Sequence, residues 1–143
     1  MYKAVAAIIL GALVLPSLAQ MTPVGVWRSM DDKTGQPKAE IRISADADGV
    51  LTGVVEKALA PSAEPNCDQC TDARRGQPKL GMEIIRGVKK AEGKEVWEGG
   101  KILDPDNGKE YTLRLTPIEG GKKLEVRGYI AFFYRTQTWI RVQ

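Results

Sequence analysis

The sequence predicts an all-β fold: one domain built as a small antiparallel up-and-down β-barrel. Three observations carry this. Short runs with period-two alternation of apolar and polar residues recur at near-regular spacing, residues of turn type separate them, and no long amphipathic helical pattern or internal repeat interrupts them. Closure into a barrel follows, because a chain without helices has nothing else with which to cover two exposed sheet edges.

Gly25-Val26-Trp27-Arg28-Ser29 reads as the first strand. In Ala39-Glu40-Ile41-Arg42-Ile43-Ser44 the apolar residues face one way and the polar residues the other, as in a half-buried antiparallel strand. Turn-type residues join it to its neighbours, Asp31 to Gly35 before it and Asp46-Ala47-Asp48-Gly49 after it, and Val50 to Lys57 forms the third strand. Ala60 to Pro78 breaks the pattern with prolines, asparagine, glycine and both cysteines, so it reads as one long irregular loop. Leu80 to Val88 fits a short strand or a helical turn, since Leu80, Ile84, Ile85 and Val88 also have helical spacing. Strand signals return in Glu95 to Leu103, Tyr111 to Leu115, Lys123 to Phe133 and Thr136 to Val142. Asp104-Pro105-Asp106-Asn107-Gly108 suits a turn ending in a left-handed glycine, Glu119-Gly120-Gly121-Lys122 suits the next connection, and Gly99-Gly100 inside a strand suits a bulge or a sharp bend.

The first nineteen residues read as a cleaved secretory signal rather than as part of the fold. Lys3 gives a positive start, Ala4 to Leu15 is apolar, and Pro16-Ser17-Leu18-Ala19 places small residues at the cleavage positions. The run is shorter than the roughly 20 residues of a spanning helix, and no cysteine lies near the cut to take a lipid. Cleavage after Ala19 takes 19 of 143 residues and one basic residue, leaving a 20–143 domain of 124 residues with 20 basic and 18 acidic side chains. Near-neutrality argues against a nucleic-acid binder, and the pairs Lys89-Lys90 and Lys122-Lys123 read as solvated turn residues. The expected fate is export, to a periplasm or the exterior, with no membrane span once mature.

The chain has no histidine. That removes Ser-His and Cys-His catalysis and His-based zinc sites. Cys67-Asp68-Gln69-Cys70 has a redox-type spacing, but a thioredoxin-type thiol needs a helix N-terminus in a βαβ setting. Export favours a structural disulfide pinning the long loop, and two cysteines alone do not complete a zinc site. Asp104-x-Asp106-x-Gly108 and Asp46-x-Asp48-Gly49 lack the glycine and glutamate spacing of an EF-hand loop. Glu83, Glu98 and Asp104 are the carboxylates to check for paired acid–base work. Non-enzymatic function, with no cofactor and no metal, is the expectation.

Gly25-x-Trp27, Cys67-x-x-Cys70, Trp97-x-Gly99-Gly100-x-Ile102-x-Asp104-Pro105-x-x-Gly108-Lys109-x-Tyr111, Arg127-Gly128-Tyr129 and Arg135-Thr136-Gln137-Thr138-Trp139-x-Arg141 span nearly the whole mature chain. Together they resemble an uncharacterised family of exported bacterial proteins, domain of unknown function 2147. The resemblance implies a lipocalin-like or fatty-acid-binding-like barrel. Tyr134 departs from the pattern the resemblance implies, which often has glycine before the Arg-Thr-Gln-Thr-Trp run. Gly25-x-Trp27 with Arg141 on the last strand is also similar to the lipocalin barrel base, where a guanidinium packs on an indole; Trp27 and Arg141 take those parts.

Trp97, Tyr111, Arg127, Tyr129 and Trp139 fall on expected strands, and those facing inward would line the barrel as ligand-binding candidates. An inward arginine calls for an anionic partner, either Glu98 or Glu125 or a ligand carboxylate. The expected function is binding of a small apolar or amphipathic, in one version anionic, ligand within the barrel. The alternative is a filled barrel that acts on an envelope protein through its surface, with Phe132-Phe133-Tyr134 as the place for an exposed apolar patch. A thiol–disulfide protein using Cys67 and Cys70 is the third reading.

Overall fold

A computed structural model describes residues 21–61 and 64–143, together with positions 4, 6, 7 and 11. The leader read over Met1 to Ala19 otherwise lies outside the described residues. Eight strands follow one another: β1 (Gly25–Met30), β2 (Pro37–Ala45), β3 (Leu51–Ala58), β4 (Glu83–Lys90), β5 (Trp97–Asp104), β6 (Lys109–Ile118), β7 (Lys123–Ile130) and β8 (Phe133–Arg141). Each pairs antiparallel with its sequence neighbour, and β8 returns to β1, so the sheet is a closed barrel. A 3-10 turn, Glu119–Gly121, lies between β6 and β7.

The alternation read in the sequence is the alternation of the barrel wall. Trp27, Ile41, Ile43, Leu51, Val55, Ile85, Val88, Trp97, Leu113, Leu115, Leu124, Val126 and Trp139 are all buried and pack as one cluster. Burial of each large apolar side chain contributes about 1.5–3 kcal/mol, which makes this cluster the main stabilising element. Turn carboxylates work locally. Asp46 Oδ1 accepts the Asp48 and Val50 N–H groups, Asp104 Oδ1 accepts the Asp106 N–H, and Gly108 closes its turn on the Asp104 carbonyl at φ 73°.

Several boundaries differ from the expectation, two of them for a reason visible in the fold. Leu80 to Val88 yields the strand β4, preceded by a turn in which Leu80 stays exposed. The helical spacing arises because Ile84 and Ile85 are both buried on opposite faces of one strand. Ile85 points inward against Gly53, whereas Ile84 and Leu103 on the outer wall are covered by the long loop, whose Cys67, Cys70 and Met82 join the same buried cluster. The last hairpin turns at Ala131-Phe132, earlier than the run Lys123 to Phe133 implied. This turn lacks glycine, proline, asparagine and aspartate, and Ala131 itself takes the positive φ of 50°.

β8 pairs with β7 along its whole length, from Ile130–Phe133 to Lys123–Ile140. Against β1 the ladder holds only at Trp27–Arg141 and Arg28–Ile140. The closing seam is therefore stitched by backbone at the end that carries the chain's C-terminus and loosened at the opposite rim.

Candidate functional site

At the stitched end, the Arg141 guanidinium lies 4.2 Å from the centre of the Trp27 ring. Trp27 is wholly buried, and its Nε1 donates to the Pro23 carbonyl at 2.7 Å. Arg141 donates to the carbonyls of Gly121 (2.6 Å), Val24 (2.9 Å) and Thr22 (2.8 Å). Burial pushes the guanidinium below its ordinary value. The need for an anion is met differently from the expectation: backbone carbonyls of Thr22, Val24, Gly121 and Gln143 supply the acceptors, while Glu98 and Glu125 pair on the outer face with Arg114 and Arg127. Gly25 is required here, because its φ is 143° and a Cβ would fall 2.5 Å from Arg141 Nη1.

The five ligand candidates divide between the two faces of the wall. Trp97 opposite Leu115 and Trp139 opposite Leu124 are buried and inward. Tyr111 shares the face of Leu113 and abuts Gly128, where a Cβ would come within 3.0 Å of its own Cβ. Arg127 and Tyr129 alternate with the inward Leu124 and Val126 and so stand on the outer wall. There they form a ladder with their neighbours. The Arg127 guanidinium lies 4.8 Å from the Tyr134 ring, that of Arg114 lies 5.6 Å from Tyr129, and the two tyrosine rings are 5.8 Å apart.

At the loosened rim a polar chain runs from the core outward. Trp139 Nε1 donates to Gln137 Oε1 and Gln137 Nε2 donates to Asp32 Oδ2, each at 2.9 Å; Arg135 Nη2 meets the same Asp32 oxygen at 2.6 Å. Side chains thus bridge β8 to the β1–β2 turn where the backbone ladder has ended. Beyond them Phe132 is 100% exposed, Phe133 74% and Tyr134 63%.

The carboxylates marked for acid–base work hold structural partners: Glu83 meets Arg86 at 2.6 Å, and Glu98 meets Arg114 at 3.1 Å. Cys67 and Cys70 form a disulfide whose two residues are buried. Sequence reasoning missed Arg74, a charged side chain 8% exposed. It donates to Asp72 through Nε and Nη2 and to the Glu83 carbonyl at 2.9 Å, and meets Glu110 at 3.3 Å, tying the long loop to β4 and β6. The Arg74 hydrogen bonds hold the Asp72 carboxyl down at about 2. Nothing in Asp72-Ala73-Arg74-Arg75 distinguishes Arg74 from the exposed Arg75.

A depression of about 360 Å³ on the outer wall is lined by Glu98, Gly99, Thr112, Leu113, Arg114 and Tyr129. A second, of about 220 Å³, lies beside the long loop at Arg74, Leu80 and Met82. Neither is walled by the inward side chains of β1, β2, β3 or β8. Among the described residues, no group of three or more acidic or Cys side chains is placed to hold a metal ion, and no helix is long and apolar enough to cross a membrane.

A closed eight-stranded antiparallel meander with an arginine over a buried indole at its base defines a lipocalin-like barrel protein. The solved structure of protein HP1028 from the human pathogen Helicobacter pylori, described as belonging to the lipocalin family, is similar in fold. It aligns with a TM-score of 0.70 at 16% identity over 84% of this chain and 82% of that one. Residues 25–141 match the family model described as an uncharacterised protein conserved in bacteria, and the chain belongs to that family, DUF2147. A comparison with curated proteins finds no match.

Proposed function

We propose that this is an exported, non-enzymatic binding protein of the bacterial envelope, periplasmic or secreted, that acts through the rim at the β7–β8 end. One contrast carries the reading. The inward side chains close into a continuous buried cluster, while Phe132, Phe133 and Tyr134 stand out of the fold in one apolar run. An unpaired Phe in water forgoes the stabilisation that burial gives the core residues, so a tip of this composition is built to meet another surface. The missing histidine and the buried disulfide support a role without catalysis or thiol exchange.

The test is photo-crosslinking in the native cell from a benzophenone side chain at position 132. Adducts with an envelope component, absent when the probe sits at exposed Lys94, are expected; equal labelling at both positions speaks against the rim.

One observation favours a second reading, an anionic amphipathic ligand bound between β1 and β8. Arg135, exposed and meeting Asp32 through one Nη2 contact, has further N–H groups to offer an anion where the seam is open. A native mass spectrum of protein purified from its own envelope, before and after unfolding, distinguishes the readings: an adduct released on unfolding supports the ligand.

A further inference from the structure

From the order of side chains along the β7–β8 hairpin we infer that its tip inserts into the interface of a zwitterionic phospholipid bilayer, with no strand or helix spanning it. The inference rests on the rim reading above and names its partner.

The hairpin is graded along its axis. Its turn is Ala131 and Phe132, Ile130 and Phe133 pair just behind, Tyr129 and Tyr134 pair next, and Arg135 and then Arg127 opposite Thr136 follow. With about 3.3 Å per strand residue, Arg135 stands about 10 Å behind Phe132. Interfacial elements sink about 5–10 Å into the boundary between headgroups and acyl chains. At that depth the Phe rings reach acyl carbon, the tyrosines with their polar hydroxyls sit at the headgroup level, and the guanidinium groups lie among the phosphates.

The charges behind the tip select the headgroup. Three arginines stand there, each beside a carboxylate: Arg135 with Asp32 at 2.6 Å, Arg127 with Glu125 at 3.5 Å, and Arg114 with Glu98 at 3.1 Å. All six side chains are at least partly exposed. A zwitterionic headgroup carries a phosphate beside an ammonium, so it meets this surface with donors facing phosphate and carboxylates facing ammonium. A locally neutral surface gains little from a net negative membrane. The shape agrees, because a convex hairpin tip enters a fluid interface without needing a complementary pocket.

The experiment is flotation of the mature protein with vesicles of phosphatidylethanolamine and phosphatidylcholine, and with vesicles carrying phosphatidylglycerol as the anionic comparison, at low and high salt. Wild type is expected to float, with little change in salt. Phe132→Ser is expected to lower partitioning by roughly ten- to a hundredfold, the loss of one buried aromatic ring, with an unchanged thermal melt because the side chain touches solvent alone. Leu80→Ser, at an exposed apolar residue of the turn before β4, is expected to float as wild type does. A Phe132→Trp variant reads depth: quenching by lipid brominated near the headgroup is expected, and quenching strongest at the acyl terminus would overturn the placement. Wild type that does not float, floats only on anionic vesicles at low salt, or floats equally as Phe132→Ser overturns the lipid assignment. In those cases crosslinks from position 132 to one protein would leave the rim reading standing, and their absence would remove both.

Discussion

Gly99 and Gly100 are adjacent in one strand yet are required for different reasons, and alanine at each separates the reasons. Gly99 bulges from β5, where the register against β6 shifts between Glu98 and Gly100. Its φ is 84° and a Cβ there would meet nothing within 4 Å. Gly99→Ala therefore costs backbone strain alone, about 1–2 kcal/mol. Gly100 lies against β4, and a Cβ would come 2.1 Å from the Arg86 carbonyl oxygen, 2.6 Å from Val88 Cγ2 and 2.7 Å from the Gly87 carbonyl carbon. An ordinary carbon–oxygen contact is about 3.3 Å, so β4 and β5 must part by about 1 Å. Two of the three obstacles are backbone and cannot rotate aside. Overpacking costs about 1–3 kcal/mol, and loss of one ladder hydrogen bond near Arg86–Lys101 adds about 1 kcal/mol, so Gly100→Ala is expected to cost about 2–4 kcal/mol. Urea unfolding followed by tryptophan fluorescence reads both. With a slope near 1.5 kcal/mol/M, the midpoint falls by about 1 M for Gly99→Ala and by about 2 M for Gly100→Ala. Equal losses at unchanged slope, or the larger loss at Gly99, would refute the close approach of the two strands.

Arg141→Ala is expected to lower stability by about 2–3 kcal/mol, since it removes charge-assisted hydrogen bonds and the contact with Trp27. Arg141→Lys should recover less than half, because one ammonium cannot reach carbonyls on several sides; a lysine melt equal to wild type would contradict this. The Asp72 carboxyl, held down at about 2 from 3.8, contributes stability in full above about pH 4 and loses it as pH falls toward 2. Asp72→Asn should therefore flatten acid unfolding in that window, and an unchanged profile would show that Arg74 does not depend on this partner. Cys67→Ser is expected to leave the barrel folded, with a thermal midpoint lower by several degrees from about 2 kcal/mol of lost loop closure and faster proteolysis between residues 60 and 78. Collapse of the whole transition would give the disulfide a global role.

Much of the wall was legible because burial of one face writes a period of two into the chain. Ile41 and Ile43 alternating with Glu40 and Arg42 need no tertiary knowledge to be read as a strand. β4 was ambiguous for a reason that lies outside its own sequence: a remote loop buries Ile84 on the wall's outer face, so the alternation that marks a strand disappears. The last turn was misplaced because Ala131 carries the positive φ and Phe132 stands in the open, where local chemistry asks for glycine or asparagine.

The sequence by itself determined the strand order, the single irregular loop and the disulfide spacing, since each is a matter of local period or of residue type, while the pairing of Trp27 with Arg141 came from the likeness to the lipocalin barrel base. Only the tertiary structure decided which aromatic and basic residues face the core. Tyr111 and Tyr129 are both strand tyrosines, but one meets Gly128 inside and the other meets Arg114 outside, a difference of one residue in parity that the bulge and the register set. It also decided that Arg74 and Arg135 matter, because their partners Glu110 and Asp32 come from other strands and turns. Closure of the sheet brings them together, and no local period records it.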